Sequence, residues 1–202
     1  MLNDGYTDLP PGKIASVVTY LEMRTRPRTE TEALPAGLSL RRVTQPDLKW
    51  YRDLFRKVGA EWLWYGRLAL SDEQLREVLW ASHTDVFALS ESDKNSNEDK
   101  GLLELNCAEP NEVEIAYFGI TPDLLGKGAG RFLLHRALEE AWSHNPTRVW
   151  LHTCNLDHPR ALEFYRKAGF VPYKFSIEVS DDPRLTGLLP IDAGPQVPIL
   201  KP

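Results

Sequence analysis

Cysteine is scarce in this chain of 202 residues, which contains only Cys107 and Cys154. Two cysteines cannot build the disulfide framework of a small secreted domain, and they suit a reducing compartment. Long apolar runs are also missing, and the chain does not open on a charged segment followed by an apolar one. We therefore expect no membrane-spanning helix and no secretory signal, but a soluble, cytoplasmic protein without a membrane partner.

Positive charge is not in excess either. The lysines and arginines, 24 in all, are outnumbered by 29 aspartates and glutamates, which gives a formal net charge of −5. No basic stripe with interleaved aromatic residues stands out, so we expect no nucleic-acid partner. With 42% hydrophobic residues, the chain is long enough for one well-packed domain, or for one domain with arms.

Apolar periodicity and turn residues predict the order of the structural elements. Residues 1–37 are predicted to be an arm carrying one strand, KIASVVTYLEM, between proline-rich flanks. Residues 38–179 give the order β–α–α–β–β–β–α–β–α–β, an α/β fold with a mixed sheet and flanking helices. Within this domain Ser71 and Gln74 can form a capping box, and the polar run SESDKNSNEDK is predicted to join two antiparallel strands. Residues 180–202 form a tail punctuated by prolines.

Glycine is concentrated in the stretch ITPDLLGKGAGRFLLHRALEEAW, where three glycines at alternate positions precede an amphipathic pattern. The dinucleotide fingerprint does not fit, because Arg131 stands where its third glycine belongs, and no Lys-Ser/Thr pair follows as in a P-loop. Small residues at a helix start nevertheless leave backbone N–H groups free to bind an anion. The stretch thus predicts an anion-binding loop of another kind, with an ordinary glycine-punctuated helix start as the alternative.

Two motifs together, DLLGKGAGRFLL after one strand and DHPRALEFYRKAGF after the next, resemble the acyl-CoA-binding half of the GNAT N-acetyltransferase superfamily. The resemblance covers residues 38–179. It implies a GNAT fold, whose mostly antiparallel sheet splays at the cofactor site, and transfer of an acetyl group from acetyl-CoA to a primary amine of a small molecule, amino acid or peptide. The amine would attack directly in a ternary complex. A non-catalytic acyl-CoA-binding module of the same fold remains the alternative, and a homodimer is a further expectation.

The resemblance also implies which residues contact coenzyme A. The family pattern Q/R-x-x-G-x-G/A, which wraps the pyrophosphate, falls on the run from Leu125, so the predicted contacts are Gly126, Lys127, Gly128, Ala129, Gly130 and Arg131. Leu125 stands where the family usually has glutamine or arginine. The edge of the preceding strand would bind pantetheine and the thioester oxygen through the backbone of Phe118, Gly119 and Ile120. Asn155 and His158 are further candidate contacts, although His158 or Asp157 could instead cap a helix beginning at Pro159.

Two catalytic roles follow from the same resemblance. Tyr165 corresponds to the tyrosine whose hydroxyl protonates the departing thiolate, with aromatic packing as the alternative. Glu114 corresponds to the general base of histone-acetylating members, and we expect it to share a strand face with Ala116 and Phe118. Glu112 and Glu104 are the other candidate bases, and a solvated carboxylate is the alternative for Glu114.

The acceptor site is expected in the region RKVGAEWLWYGRLALSDEQ, since the first two helices of this fold usually line the amine pocket. Trp62, Trp64 and Tyr65 could form an aromatic wall for a cation or an apolar amine, with Glu61 as the nearest carboxylate. The alternative is that these aromatic residues belong to the core. His152, Cys154 and His158 offer only three ligands on a short stretch, so we expect no metal.

Overall fold

The computed structural model describes residues 4–27, 34–92 and 97–202, and its elements follow the predicted order. The strands are β1 (Lys13–Met23), β2 (Leu38–Arg42), β3 (Thr84–Ser92), β4 (Asn97–Asn106), β5 (Glu112–Ile120), β6 (Arg148–Cys154) and β7 (Val171–Asp181). The α-helices are α1 (Leu48–Gly59), α2 (Asp72–Leu79), α3 (Ala129–Ser143) and α4 (Ala161–Lys167). The turn predicted within SESDKNSNEDK falls on residues 93–96, outside the described residues.

The strands form one sheet in the order β2-β3-β4-β5-β6-β1-β7. Its neighbouring strands are antiparallel except β5 and β6, which run parallel. β5 and β6 pair only where residues 112–114 lie opposite residues 148–150. Beyond this short ladder the two strands separate, and the sheet opens as a cleft. The predicted α/β fold, with a mostly antiparallel sheet that splays and is flanked by helices, is confirmed.

Local sequence explains where the first two helices begin. The Asp47 side chain caps α1 by accepting a hydrogen bond of 2.8 Å from the backbone N–H of Trp50. In α2, Ser71 and Gln74 form the predicted capping box, each side chain accepting from the other residue's backbone N–H. The buried side of α1 carries apolar residues at helical spacing, namely Tyr51, Leu54, Phe55 and Val58.

Two hydrophobic cores lie on opposite faces of the sheet. One lies under α3 and α4 and includes Leu133, Leu151 and Phe170. The other lies under α1 and α2 and includes Phe55 and Leu102. Among the described residues, no helix is long and apolar enough to span a bilayer.

Both predicted terminal segments are built into this domain. β1, the strand of the predicted arm, lies inside the sheet and pairs with β6 on one side and β7 on the other. β7 continues to Asp181, two residues past the predicted end of the domain. In the tail, the buried Arg184 pairs with Asp182 at 2.7 Å and donates to the carbonyls of Ala193, Gly194 and Val197. These bonds hold the tail against the core under α1, where Leu189 is buried.

Candidate functional site

A cavity of about 630 Å³ occupies the cleft between β5 and β6. It extends from the glycine loop and the start of α3, past α4, to the residues that follow α1 and to β7. Most of its wall is apolar, and polar side chains such as Arg131, Asp157 and Glu178 lie at separate points along it. A cleft of this size, with polar groups at selected points, is typical of a site for a small organic ligand.

The glycine loop presents unpaired backbone donors to one end of this cavity. Gly126 and Gly128 have φ values of 75° and 83°, which favour glycine, and Gly128 is the N-cap of α3 without any side-chain cap. Within the described residues, the backbone N–H groups of Gly128, Ala129, Gly130 and Arg131 donate to no acceptor. A helix N-terminus with free donors favours an anion such as a phosphate.

The structure separates the predicted loop contacts into two groups. Gly126, Gly128, Gly130 and Arg131 line the cavity. Ala129 is fully buried at the start of α3, and the exposed Lys127 lies outside the lining. Ala129 can therefore offer only its backbone to a ligand at this position.

The predicted edge of β5 lines the middle of the cavity. Phe118, Gly119 and Ile120 are all part of the wall. Gly119 has no room for a side chain, because a Cβ atom there would lie 2.5 Å from Val58 Cγ1 and 3.0 Å from the Trp64 ring. The glycine thus lets α1 and the Trp64 ring approach β5 closely, which closes the wall of the cavity on that side.

Tyr165 of α4 also lines the cavity, opposite Phe118. Its ring is 8% exposed and packs edge-on against Phe118, with ring centroids 6.0 Å apart. Burial, with a further contribution from the charge of Asp157, raises the pKa of the Tyr165 phenol well above its ordinary value. The hydroxyl makes no hydrogen bond to another described residue and stays protonated at neutral pH. The Tyr165 residue therefore offers the cavity a protonated hydroxyl without a hydrogen-bond partner among the described residues.

Asn155 and His158 have different surroundings. His158 lines the cavity, contacts the Trp62 ring edge-on, and accepts a hydrogen bond of 3.0 Å at Nδ1 from the backbone N–H of Arg160. It thereby supports the turn before α4, which begins at Ala161 and not at Pro159 as predicted. Asn155 lies outside the lining, where its Oδ1 accepts from the backbone N–H of Val17 at 2.7 Å and ties β6 to β1.

Glu114 does not line the cavity. It accepts a hydrogen bond of 3.2 Å from Asn106 Nδ2. Between β4 and β5 the register shifts, so that Ala116 is left without a partner in the ladder. This bulge reverses the alternation of side chains, and Glu114 therefore lies on the opposite face from Phe118 instead of sharing its face.

The other two candidate bases are engaged in ion pairs. Glu112 accepts from Arg148 at 2.6 Å. Glu104 is fully buried on β4, where it pairs with Arg67 and accepts from the Tyr51 hydroxyl. Neither carboxylate lines the cavity.

Replacing Glu104 by glutamine should lower the free energy of unfolding by about 3 kcal/mol, because it leaves the Arg67 charge without a counterion. This loss is at the low end for a broken buried ion pair, because the Arg67 side chain is 20% exposed and water can partly solvate its charge. Urea unfolding would measure the change. Glu98→Gln on the same strand is the control: Glu98 forms an exposed pair with Lys57, and its loss should leave the free energy of unfolding nearly unchanged. Equal losses in both variants would contradict a structural role for Glu104.

The aromatic residues expected at the acceptor end do meet there. Trp62, Trp64 and Tyr65 line the cavity near β7. Glu61, the carboxylate expected beside them, is exposed and lies outside the lining.

Two other carboxylates line this end, and the sequence analysis assigned neither of them to the acceptor site. Asp157 accepts from Trp64 Nε1 at 3.1 Å, from Thr153 Oγ1 at 2.6 Å and from the backbone N–H of Cys154 at 2.9 Å. Glu178 of β7 accepts from the Tyr65 hydroxyl at 2.8 Å. Each carboxylate fixes one ring of the aromatic wall and adds negative charge behind it. In the sequence, only the positions of these two residues could have indicated their place in the site. Asp157 follows the end of β6, and alternation of side chains along β7 turns Glu178 toward the cavity.

Comparison with known proteins places this arrangement in context. Residues 48–170 match the model of the acetyltransferase (GNAT) family. The chain is 28% identical over 141 residues to a spermidine N(1)-acetyltransferase of Vibrio cholerae serotype O1, in an alignment that covers 66% of this chain and 79% of that protein.

Solved structures share the fold at low sequence identity. A GCN5-related N-acetyltransferase from Sphaerobacter thermophilus matches 83% of this chain with a TM-score of 0.59 and 14% identity. The match covers 52% of that protein, so this chain spans about half its length. An aminoglycoside acetyltransferase from an uncultured soil metagenomic sample matches 66% of this chain and 88% of its own, with a TM-score of 0.53 and 19% identity.

Proposed function

The chain belongs to the acetyltransferase (GNAT) family and is an acyltransferase, and from this premise we propose that it transfers the acetyl group of acetyl-CoA to a primary amine of a small cationic molecule. The proposal rests on one observation: a single cavity joins the free donors of the glycine loop, the hydroxyl of Tyr165 and an aromatic wall backed by two carboxylates. Direct attack in a ternary complex needs these three parts in one continuous space.

Backbone groups would hold acetyl-CoA at the α3 end. The unpaired N–H groups from Gly128 to Arg131 suit the pyrophosphate, and the Arg131 side chain supplies positive charge there. The β5 edge lies between this loop and Tyr165, where the pantetheine arm would run. A backbone N–H at Phe118 would donate to the thioester oxygen and stabilise the negative charge that develops on it during attack.

Tyr165 would donate the proton that the departing thiolate needs. A phenol is protonated at neutral pH, and burial raises the pKa of Tyr165 further. Its ring is fixed by Phe118 and Phe164 at centroid distances of 6.0 and 5.5 Å. Protonation by a positioned phenol lowers the barrier to C–S cleavage.

Asp157 would receive the amine. It lies in the cavity wall, its charge acts on Tyr165, and Trp64 Nε1 holds Oδ1 in place. An ammonium bound to this carboxylate can pass its proton to it and attack as a neutral amine. Glu114, the base expected from the family resemblance, could act only through water from its place outside the lining.

A cationic acceptor suits the wall that surrounds Asp157. The faces of Trp62, Trp64 and Tyr65 attract a cation, and the carboxylate of Asp157 adds Coulombic attraction. Amines with several charges fit this chemistry best. The spermidine acetyltransferase and the aminoglycoside acetyltransferase that the chain resembles are both named for acceptors of that kind.

Asp157→Asn should raise KM for a polyamine about tenfold, the loss expected for one charge-assisted hydrogen bond, and leave KM for acetyl-CoA within about twofold. Free-thiol release with spermidine, an aminoglycoside and a neutral primary amine would measure this. Glu61→Gln and Glu114→Gln, measured alongside, should change these constants little. If either of them, and not Asp157→Asn, impairs the reaction, the amine is received elsewhere.

A further inference from the structure

β7 is an uncovered edge of the sheet. On its inner side it pairs with β1, and no other strand of residues 4–27, 34–92 and 97–202 pairs with its outer side. The strand is 11 residues long, and its side chains are mostly exposed. Alternate backbone N–H and C=O groups of an edge strand point outward, where they can pair with another strand.

The outer half of the sheet face that carries α4 is apolar. Phe175, Ile177 and Val179 of β7 are 69%, 51% and 52% exposed, and Val17 of β1, opposite Ile177, is 50% exposed. Residues at every second position share a face, so these four side chains form one patch. A long edge strand bordered by exposed apolar side chains favours association with another strand.

The opposite face of β7 carries two charges without oppositely charged partners. Lys174 lies over the Tyr20 ring, with Nζ 4.4 Å from the ring centroid, and forms no ion pair with a described carboxylate. Glu178 accepts from the Tyr65 hydroxyl, and no described cation lies within ion-pair distance of it. The two residues stand four apart, with Ser176 midway between them.

This spacing is self-complementary in one antiparallel register. If two copies of β7 pair about a two-fold axis at Ser176, each Lys174 lies directly opposite the partner's Glu178. In the same register Phe175 lies opposite the partner's Ile177 on the apolar face. Moving the axis by one residue in either direction loses the pairing of Lys174 with the partner's Glu178, and centring it on Glu178 places two carboxylates together.

We propose that the chain forms a homodimer in which the two β7 strands pair antiparallel about Ser176 and make one continuous sheet of both subunits. The partner in this interface is a second copy, because a single register of β7 against itself places both the opposite charges and the apolar side chains opposite each other. In this arrangement the partner's Lys174 pairs with Glu178, and Asp157 remains the carboxylate that attracts a cationic acceptor.

Molar mass in solution tests the interface. Light scattering after size-exclusion chromatography should give twice the 23.0 kDa of the chain for the wild type and the single-chain mass for Ile177→Lys. Ile191→Lys is the matched control, because Ile191 is 57% exposed in the tail, and this variant should remain dimeric. A monomeric wild type, or a dimer that survives Ile177→Lys, would overturn the proposal.

Charge reversal tests the register. Lys174→Glu replaces both attractive pairs of the dimer by repulsive ones and should weaken dimerisation at least about tenfold. The double variant Lys174→Glu/Glu178→Lys restores both pairs and should recover most of that loss. A double variant as weak as the single one would rule out this register and with it the proposed interface.

Discussion

Gly130→Asp is expected to abolish coenzyme A binding without lowering the stability of the free protein. Gly130 is the second residue of α3 and lines the cavity. A Cβ atom there would meet only Ile120 Cδ1 at 3.7 Å and Phe164 Cζ at 4.0 Å, which are ordinary contacts. An aspartate in the first turn of a helix is favoured by the helix dipole, but its charge would repel the pyrophosphate from the free N–H groups.

Thermal unfolding with and without coenzyme A measures this effect. At a hundred times Kd the ligand should stabilise the wild type by about 2.7 kcal/mol, or roughly 5–10 °C in Tm for a chain of this size. Gly130→Asp should show no shift. The Gly130→Asn variant carries a side chain of nearly the same shape as aspartate but without the charge, and it should keep part of the Tm shift. An unchanged shift in Gly130→Asp would show that the glycine loop is not the phosphate site.

Tyr165→Phe is expected to lower the rate of acetyl transfer by about a hundredfold or more, within the range for loss of a general acid. The ring and its contacts with Phe118 remain, and the missing hydroxyl has no hydrogen-bond partner among the described residues. Acetyl-CoA binding and Tm should therefore stay close to those of the wild type. Single-turnover measurements would isolate the chemical step from product release.

Tyr117→Phe is the matched comparison, because Tyr117 also lines the cavity and burial raises its pKa to about 12. We expect a much smaller change in rate for this variant. If Tyr117→Phe slows the chemical step and Tyr165→Phe does not, the proton comes from Tyr117.

Local sequence patterns predicted the fold well because they act over short distances. The capping box of Ser71 with Gln74 and the apolar stripe of α1 require only neighbouring residues, and both are present. The glycine loop was found in the same way. Its spacing marked both the start of α3 and the backbone donors that now line the cavity.

Predictions that depended on long-range register were less successful. The place of Glu114 was inferred from strict alternation along β5, and the bulge at Ala116 changes that alternation. The place of β1 between β6 and β7 depends on pairing partners more than a hundred residues away. Asp157 was recognised only as a helix cap, because its contact with Trp64 joins residues 93 positions apart.

The most direct test of the central claim is the mass balance of a reaction with deuterated acetyl-CoA and spermidine. The proposed function predicts labelled acetylspermidine and free coenzyme A in equal amounts, no label retained on the protein, and loss of both products in Gly130→Asp. Coenzyme A release without a labelled amine, for spermidine and for a panel of other primary amines, would contradict it.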